Sequence, residues 1–274
     1  ALAILETDKQ IDMVLSDINM PRMDGLTLVA KLSELSTQLK TIMVSAYSDM
    51  KNLRTAMNSG AYDFVTKPID FEDLEKTINK TIKEIDSLKR ASFAQMELNH
   101  LQQELSIASE IQQSVLPTQF DIFPEGVEMD LYASMIPAKD VGGDFYDLFW
   151  IDDHRLGLVI GDVSGKGMPA ALFMAISRTL LKAIALNGEP PSECLQQVNK
   201  ILCQDNPKSM FVTIFYAVLN IFDFTIEYCN AGHNPPCIKT ADGNVEFIDT
   251  PKNTALGITD ELVYQPGSLS LKDK

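Results

Sequence analysis

Short apolar runs alternate with segments of helical spacing over the first part of the chain. The apolar runs predict strands at residues 13–17, 41–45 and 63–67. Residues 26–35 and 52–58 carry apolar side chains at helical spacing and predict two helices between these strands. Short apolar strands separated by helices are typical of a parallel sheet that is covered on both faces. The pattern therefore predicts an α/β domain with a doubly wound parallel sheet.

A long segment without glycine or proline follows, from Phe71 to about Val115. Its length predicts one continuous helix of the coiled-coil or signalling type, which ends at Leu116 and Pro117. A stripe with alternating spacings of three and four predicts a coiled-coil seam, formed by Ala91, Ala94, Leu98, Leu101, Leu105, Ala108, Gln112 and Val115. We expect a homodimer through residues 86–116; the alternative is that the stripe packs on the chain's own domains.

The second half has a different pattern, in which strands come in runs around two helices. Strands are predicted at residues 127–137, 156–160, 210–220, 225–228 and 245–248, and helices at residues 168–186 and 191–203. Runs of strands flanking helices indicate an α+β domain. The expected organisation is a first domain at residues 1–85, a helical linker at residues 86–116 and a second domain at residues 117–274.

Composition narrows the functional classes. Apolar residues make up 45% and charged residues 22% of the 274 residues, which is globular composition and excludes a disordered chain. The net charge of -15 repels phosphate backbones and anionic lipid, so neither nucleic acid nor membrane is an expected partner. The four cysteines lack a CxxC spacing and are expected to be buried, reduced thiols of a cytoplasmic protein. The chain begins in mid-pattern without Met, which suggests a fragment.

Polar residues end the three strands predicted in the first half. These residues are Asp17, Ser45 and Lys67. Because the carboxyl ends of parallel strands face the ligand crevice, we expect the three side chains to converge at one edge of the sheet. A carboxylate, a hydroxyl and an ammonium at one edge suit a phosphoryl group.

The first half resembles the receiver domain of two-component response regulators. The matching segments are SDINMPRMDG (residues 16–25), VSA (44–46) and GAYDFVTKP (60–68). The resemblance implies that a sensor histidine kinase phosphorylates Asp17, that Ser45 is the switch hydroxyl, that Lys67 contacts the phosphoryl oxygens and that Phe64 moves with the switch. The bond from Lys67 to Pro68 is expected to be cis. Receivers also carry an earlier acidic pair that holds Mg²⁺, and this chain starts after it, so the receiver is expected to be incomplete.

Two aspartates in the second half lie next to glycines, where the backbone can approach a ligand closely. They are Asp144, in VGGDFYD, and Asp162, in GDVSGKG. Carboxylates without His or Cys partners favour Mg²⁺ or Mn²⁺ over zinc. The stretch at residues 164–167 is not a P-loop, because its glycine spacing is short and Gly167 stands in place of Ser or Thr.

Two further polar residues have competing interpretations. Asp147 is expected to cap a turn or lie in a solvated loop, with metal ligation the less favoured reading. His233, in NAGHNPP, could be a general acid, and hydrogen bonding to the backbone at a strand turn is the preferred reading.

These motifs resemble the metal-dependent PPM-type serine/threonine protein phosphatases, in particular the bacterial sporulation-stage-II-E and sigma-regulator branch. The matching segments also include ELSIASEIQQSVLP (residues 104–117) and MFVT (210–213). The resemblance implies a β-sandwich between helices and two Mn²⁺ or Mg²⁺ ions, with Asp144, Asp162 and the carbonyl of Val163 as ligands. Further metal-binding aspartates are expected beyond Lys274, so weak metal binding and little activity are expected of this chain alone. The Asp242–Gly243 pair is expected to form a hairpin turn.

Together the two resemblances imply a response regulator whose output is dephosphorylation of a phosphoserine or phosphothreonine protein. The implied substrate is an anti-sigma-factor antagonist, and phosphorylation of Asp17 would control the output. The alternative is a phosphorylation-gated adaptor that binds a partner through a phosphatase-like fold without turnover. Direct control of DNA is disfavoured by the net charge.

Overall fold

The computed structural model describes residues 2–8, 10–35, 39–46, 50–125, 127, 129–137, 140–204, 206, 208–240 and 242–271. The chain divides into two compact units, Ala1–Leu101 and Gln102–Lys274.

The first unit contains a parallel three-stranded sheet, as the sequence predicts. Its elements are α1 (Leu2–Thr7), β1 (Met13–Asp17), α2 (Gly25–Leu35), β2 (Lys40–Ala46), α3 (Met50–Asn58), β3 (Asp63–Lys67) and the first part of α4 (Phe71–Ser114). The strands lie in the order β1-β2-β3. Residues 41–45 of β2 are buried without interruption, because a central parallel strand is covered on both faces. Met43 packs there with Ile18, Val29 and Leu53.

Helix α4 is one continuous helix of 44 residues, which confirms the predicted long helix. The carboxylate of Asp70 accepts a hydrogen bond from the backbone N–H of Glu72 at its start. Its first turns bury Thr77, Thr81 and Ile85 within the first unit. The side chains at positions 86–104 are exposed. The predicted seam lies in this exposed stretch only from Ala91 to Leu101, whereas Gln112, near its end, is buried. The dimer stays a prediction.

The second unit is built on an antiparallel five-stranded sheet in the order β10-β7-β6-β5-β4. Its elements are β4 (Phe145–Trp150), β5 (Arg155–Val163), α5 (Met168–Ala185), α6 (Pro191–Gln204), β6 (Val212–Asn220), β7 (Thr225–Ala231), β8 (Cys237–Lys239), β9 (Val245–Phe247) and β10 (Gly267–Ser270). Helices α5 and α6 pack against one face of the sheet through Phe145, Met174, Leu195 and Tyr216. This arrangement confirms the α+β class.

The predicted strand at residues 127–137 is wrong. Burial alternates along Leu131–Pro137 as the pattern requires, but the described residues of this segment pair with no strand. Val127, Met129 and Leu131 instead pack on the sheet face opposite the helices. Alternation reports burial of every second side chain, whereas a strand also needs a hydrogen-bonded neighbour.

The cysteines differ in part from the expectation, and the predicted hairpin turn is confirmed. All four cysteines are free thiols, and Cys194 and Cys229 are buried, but Cys237 is exposed because it lies on the short β8–β9 hairpin. The turn of that hairpin contains Asp242 and Gly243, as predicted.

Helix α5 is long and apolar enough to cross a membrane by length and composition. Its buried residues include Ala170, Met174, Leu181 and Ala185, which belong to the core of the second unit. The apolar character of α5 is therefore that of a core helix.

Candidate functional site

The first unit brings Asp17 and Lys67 together at the carboxyl end of the sheet. The Lys67 ammonium forms an ion pair with the Asp17 carboxylate, and both side chains are partly exposed. This hydrogen bond, helped by the backbone N–H of Asn19, holds the pKa of Asp17 below its usual value. Gly25 lies directly against the end of β1, since a Cβ at that position would clash with the Asp17 carbonyl oxygen.

The other two residues of the predicted switch lie on neighbouring strands. The Ser45 side chain is buried, and its hydroxyl donates to the carbonyl of Ala46 at 3.2 Å. Phe64 lies on β3 and is partly exposed. The cis peptide bond predicted between Lys67 and Pro68 is confirmed.

In the second unit, glycines next to Asp144 and Asp162 allow neighbouring segments of the chain to pack closely against each other. Strand β4 pairs with β5 so that Phe145 lies opposite Gly161, which brings the two aspartates to neighbouring positions of the ladder. A Cβ at Gly161 would meet the Phe145 ring at 2.6 Å. A Cβ at Gly143 would meet both the side chain and the carbonyl oxygen of Val163 at 2.9 Å.

The carboxyl groups of Asp144 and Asp162 lie close enough to each other to interact. Burial, a hydrogen bond with Asp144 and the charge of Asp144 raise the pKa of Asp162 to about 6. Ionisation of both carboxyl groups is unfavourable because their charges repel, and a bound cation would remove this repulsion. The donors are hard oxygens, so the pair suits Mg²⁺ or Mn²⁺. Among the residues that the structure describes, no group of three or more His, Cys, Asp or Glu side chains is placed to hold a metal ion.

Both aspartates line a cleft of about 490 Å³. Its other lining residues include Tyr132, Ile136, Ile160 and His233. Asp144, Asp162 and His233 form its polar side, while Tyr132 and Ile136 are exposed. The cleft therefore combines two carboxyl groups with exposed apolar side chains.

His233 enters this cleft, although the sequence favoured a purely backbone role for it. Its backbone N–H donates to the Asn230 side chain at 2.8 Å, and its Nδ1 lies 2.9 Å from the Thr213 hydroxyl. Burial lowers the pKa of His233, and the charge of Asp144 opposes this effect. The lowered pKa favours the neutral form of the ring.

Asp147 corrects an expectation, since it neither caps a turn nor lies in a solvated loop. Its side chain is 1% exposed and pairs with Arg178 at 2.9 Å and Lys182 at 3.7 Å. Burial is the largest influence and raises the pKa of Asp147, against the charges of these two cations. Asp147 alternates along β4 with the same side of the strand as Phe145 and Phe149, both of which are buried. Arg178 and Lys182 lie four residues apart, on one face of α5. The alternation along the strand and the helical spacing of the two cations are the signals in the sequence that could have revealed this ion pair.

The end of α4 contacts the backbone just before Asp144. The buried Gln112 amide donates to the Gly142 carbonyl at 2.6 Å and accepts from the Gly142 N–H at 3.1 Å. The Tyr146 hydroxyl donates to the Pro117 carbonyl at 2.9 Å. Sequence reasoning placed Gln112 only on the predicted seam and missed this link to the cleft.

Comparison with known proteins gives a family match in each half of the chain. Residues 1–79 match the family model of the response regulator receiver domain, and residues 152–274 match that of stage II sporulation protein E (SpoIIE). The chain is 33% identical over 165 residues to the phosphoserine phosphatase RsbU of Bacillus subtilis (strain 168), a match that covers 60% of this chain and 48% of that protein.

A second relative and a solved structure extend these matches. The phosphoserine phosphatase RsbP of the same organism is 28% identical over 180 residues, covering 64% of this chain and 43% of that protein. The chain thus spans about half the length of these curated relatives. The SiaA-PP2C domain of Pseudomonas aeruginosa matches with a TM-score of 0.52 at 17% identity, over 64% of this chain and 69% of that one, which supports the fold alone.

Proposed function

We propose that this chain, in which residues 1–79 belong to the response regulator receiver family and residues 152–274 to the SpoIIE family, is a receiver-controlled protein phosphatase. Its substrate class is a phosphoserine or phosphothreonine protein. The observation that carries the proposal is the pair of interacting carboxyl groups, Asp144 and Asp162, in an open cleft. The names of the relatives RsbU and RsbP, both phosphoserine phosphatases, agree with this substrate class.

The two aspartates are the groups that would hold divalent cations, together with the backbone carbonyl of Val163. Mn²⁺ or Mg²⁺ bound there would supply an activated water and neutralise charge on the phosphoryl group. Asp162 lies on the interior strand β5, and Asp144 lies immediately before the edge strand β4, so the sheet fixes the position of the ligand oxygens. The glycines at 143 and 161 keep the backbone close enough for both to act at one point.

The first unit supplies the control. We assign phosphorylation by a sensor histidine kinase to Asp17, with Mg²⁺ bound in the intact receiver. In the unphosphorylated state Lys67 pairs with the Asp17 carboxylate. A phosphoryl group on Asp17 would draw the Lys67 ammonium to its own oxygens. Ser45 and Phe64 would then respond as the switch residues.

Helix α4 is the element that carries the signal. Its exposed residues 86–104 suit pairing with a second copy of the chain, and its end reaches Gly142 through Gln112. A change in the pairing of the helices would therefore reach the backbone beside Asp144. We place the protein in the cytoplasm, with an anti-sigma-factor antagonist as substrate and without nucleic acid or membrane as partner.

A second candidate function is a phosphorylation-gated adaptor that binds a partner without turnover. One observation favours it: the part of the chain that the structure describes brings only two carboxylates, and no third acidic ligand, to the cleft. The two functions differ in turnover.

The deciding experiment measures phosphate release from a phosphoserine protein by the full-length protein with Mn²⁺. We compare wild type with Asp162→Asn and with a control, Asp153→Asn, which changes an exposed aspartate in the turn between β4 and β5. The proposal expects metal-dependent release that Asp162→Asn lowers by about a thousandfold, because several kcal/mol of charge stabilisation are lost, while the control keeps wild-type activity. A folded, metal-loaded wild type without turnover would favour the adaptor.

A further inference from the structure

A buried ion pair joins helix α5 to strand β4, and the proposed metal site does not use it. Asp147 lies on the side of β4 that faces α5, as the buried Phe145 and Phe149 do. Its carboxylate lies 2.9 Å from the Arg178 guanidinium, whose side chain is 13% exposed. The Lys182 ammonium is farther away, at 3.7 Å, and lies over the Phe149 ring. Arg178 is therefore the main partner of Asp147.

The same helix makes a second contact, next to a candidate metal ligand. The first turn of α5 contains Ala170, which is fully buried. A Cβ at Gly143 would be 3.2 Å from the Ala170 Cβ and 2.9 Å from the Val163 side chain. The backbone at Gly143 thus packs against Ala170 and Val163, and Asp144 is the next residue. A displacement of α5 would change this contact and, with it, the position of Asp144.

The two contacts of α5 lie at matching intervals along the strand and the helix. The four residues from Gly143 to Asp147 span about 13 Å when extended. The eight residues from Ala170 to Arg178 rise about 12 Å along a helix. A buried ion pair requires one relative position of its partners, because a charge left unpaired in the interior is costly. The pair therefore sets how far α5 lies along β4, and so where Ala170 meets Gly143.

We propose that the buried ion pair of Asp147 and Arg178 is a positioning pair: it holds α5 at the one position along β4 that places Asp144 in the metal site. This inference rests on the proposed phosphatase function, and the two residues act through α5 and touch neither metal nor substrate. Apolar side chains of similar size often stabilise a core as well as a buried ion pair does. The contribution we assign to these charges is therefore the position of α5.

The test compares Mn²⁺ affinity with stability in the full-length protein. The variants are Arg178→Met, the double variant Asp147→Ala, Arg178→Met, and the conservative Arg178→Lys. The control is Arg155→Met, which makes the same change at an ion pair with Asp152 at the start of β5. Calorimetric titration with Mn²⁺ measures the affinity, denaturant unfolding measures stability, and kcat and KM are measured with a phosphoserine protein at saturating Mn²⁺.

The charge effect and the positioning effect of Arg178→Met have opposite signs. Loss of a nearby positive charge by itself would strengthen the binding of a cation. Loss of the position of Asp144 should instead weaken Mn²⁺ binding by about tenfold, with a lower kcat and an unchanged KM. The double variant keeps the net charge and should show the same loss of Mn²⁺ affinity. Arg178→Lys should retain most of the affinity, and Arg155→Met should match wild type.

Unchanged or stronger Mn²⁺ binding in Arg178→Met would overturn the proposal, as would wild-type affinity in the double variant. If Arg178→Met does not fold, the double variant makes the same comparison, because neither charge then remains unpaired. If Mn²⁺ affinity depends on the pair as expected but wild type shows no turnover, the phosphatase function fails while the positioning role stands. Turnover by wild type together with unchanged Mn²⁺ affinity in both variants has the reverse meaning.

Discussion

Each of the two units contains a candidate functional aspartate, and the surroundings shift the pKa values of these two aspartates in opposite directions. Asp17 is partly exposed beside the Lys67 ammonium, which lowers its pKa. Asp162 lies beside Asp144, and burial together with this second carboxyl raises its pKa to about 6. The difference matches two kinds of chemistry. A carboxylate next to a cation stays ionised and can accept a phosphoryl group. Two adjacent carboxyl groups are instead suited to bind a divalent cation.

The largest expected effect separates the two aspartates by their chemistry. In the full-length protein, Asp17→Asn should abolish the incorporation of phosphate from a phosphodonor, because the amide cannot form the acyl phosphate. Asp162→Asn serves as the cross-control and should be labelled like wild type. The measurement is radiolabel retained on the protein. Labelling that survives in Asp17→Asn would remove Asp17 from the receiver site.

A second prediction compares a buried ion pair with an exposed one. Asp147→Ala should lower the free energy of unfolding of the second unit by about 3–5 kcal/mol, because it leaves the Arg178 charge buried without its partner. Lys67→Ala should change stability by less than about 1 kcal/mol, since its pair with Asp17 is exposed to water. Denaturant unfolding measures both.

The double variant Asp147→Ala, Arg178→Met tests the cause of the larger loss. It should recover part of the stability that Asp147→Ala loses, because no unpaired charge remains. A double variant as unstable as the single one would show that packing, and not the buried charge, dominates at Asp147.

The third prediction concerns pH, with opposite signs at the two sites. Asp162 has a folded pKa above the ordinary 3.8, so its protonation favours the folded, metal-free state, and stability from this group falls as pH rises from about 4 to 6. Mn²⁺ must displace this proton, so its affinity should fall by about tenfold for each pH unit below 6. Calorimetric titration with Mn²⁺ at several pH values between about 5 and 7 measures how steeply the Mn²⁺ affinity depends on pH.

Asp17 has a folded pKa below 3.8, so the stability from its pair with Lys67 is present above pH 3.8 and is lost as pH falls below that value. The Asp17 site should therefore be insensitive to pH between 5 and 7. A pH-independent Mn²⁺ affinity over this range would contradict the interaction between Asp144 and Asp162.

A smaller effect on activity is expected at the end of α4. Gln112→Ala removes two hydrogen bonds to Gly142 and should cost about 1–3 kcal/mol of stability in the second unit. Gln113→Ala is the control, because it changes a neighbouring exposed glutamine of the same helix. We expect kcat to fall severalfold in Gln112→Ala alone. Equal behaviour of the two variants would argue against a role for Gln112 in placing Asp144.

Most elements of the fold could be predicted from local patterns. The apolar runs of β1, β2 and β3 and the uninterrupted composition of α4 follow directly from the sequence, since strand and helix periods are local properties. The failure at residues 127–137 has the same origin. Alternation was correct as a statement about burial, but strand pairing depends on distant residues that the alternating segment does not reveal.

The candidate site was predicted unevenly for a related reason. Four site residues could be found from the sequence because they lie at the ends of predicted strands or beside glycines: Asp17, Lys67, Asp144 and Asp162. The partners of Asp147 and His233 lie 31 and 20 residues away along the chain, on α5 and β6. Their roles could not be assigned until packing brought these elements together.

The sequence by itself determined the class of each half, the long helix between them and the chemical types available at each site. Only the tertiary structure decided which of these groups meet. It buried Asp147 against Arg178, placed the Thr213 hydroxyl on the imidazole of His233 and put Asp144 within hydrogen-bonding reach of Asp162. The physical reason is that secondary structure follows from neighbours along the chain, whereas pKa values and hydrogen-bond partners follow from neighbours in space.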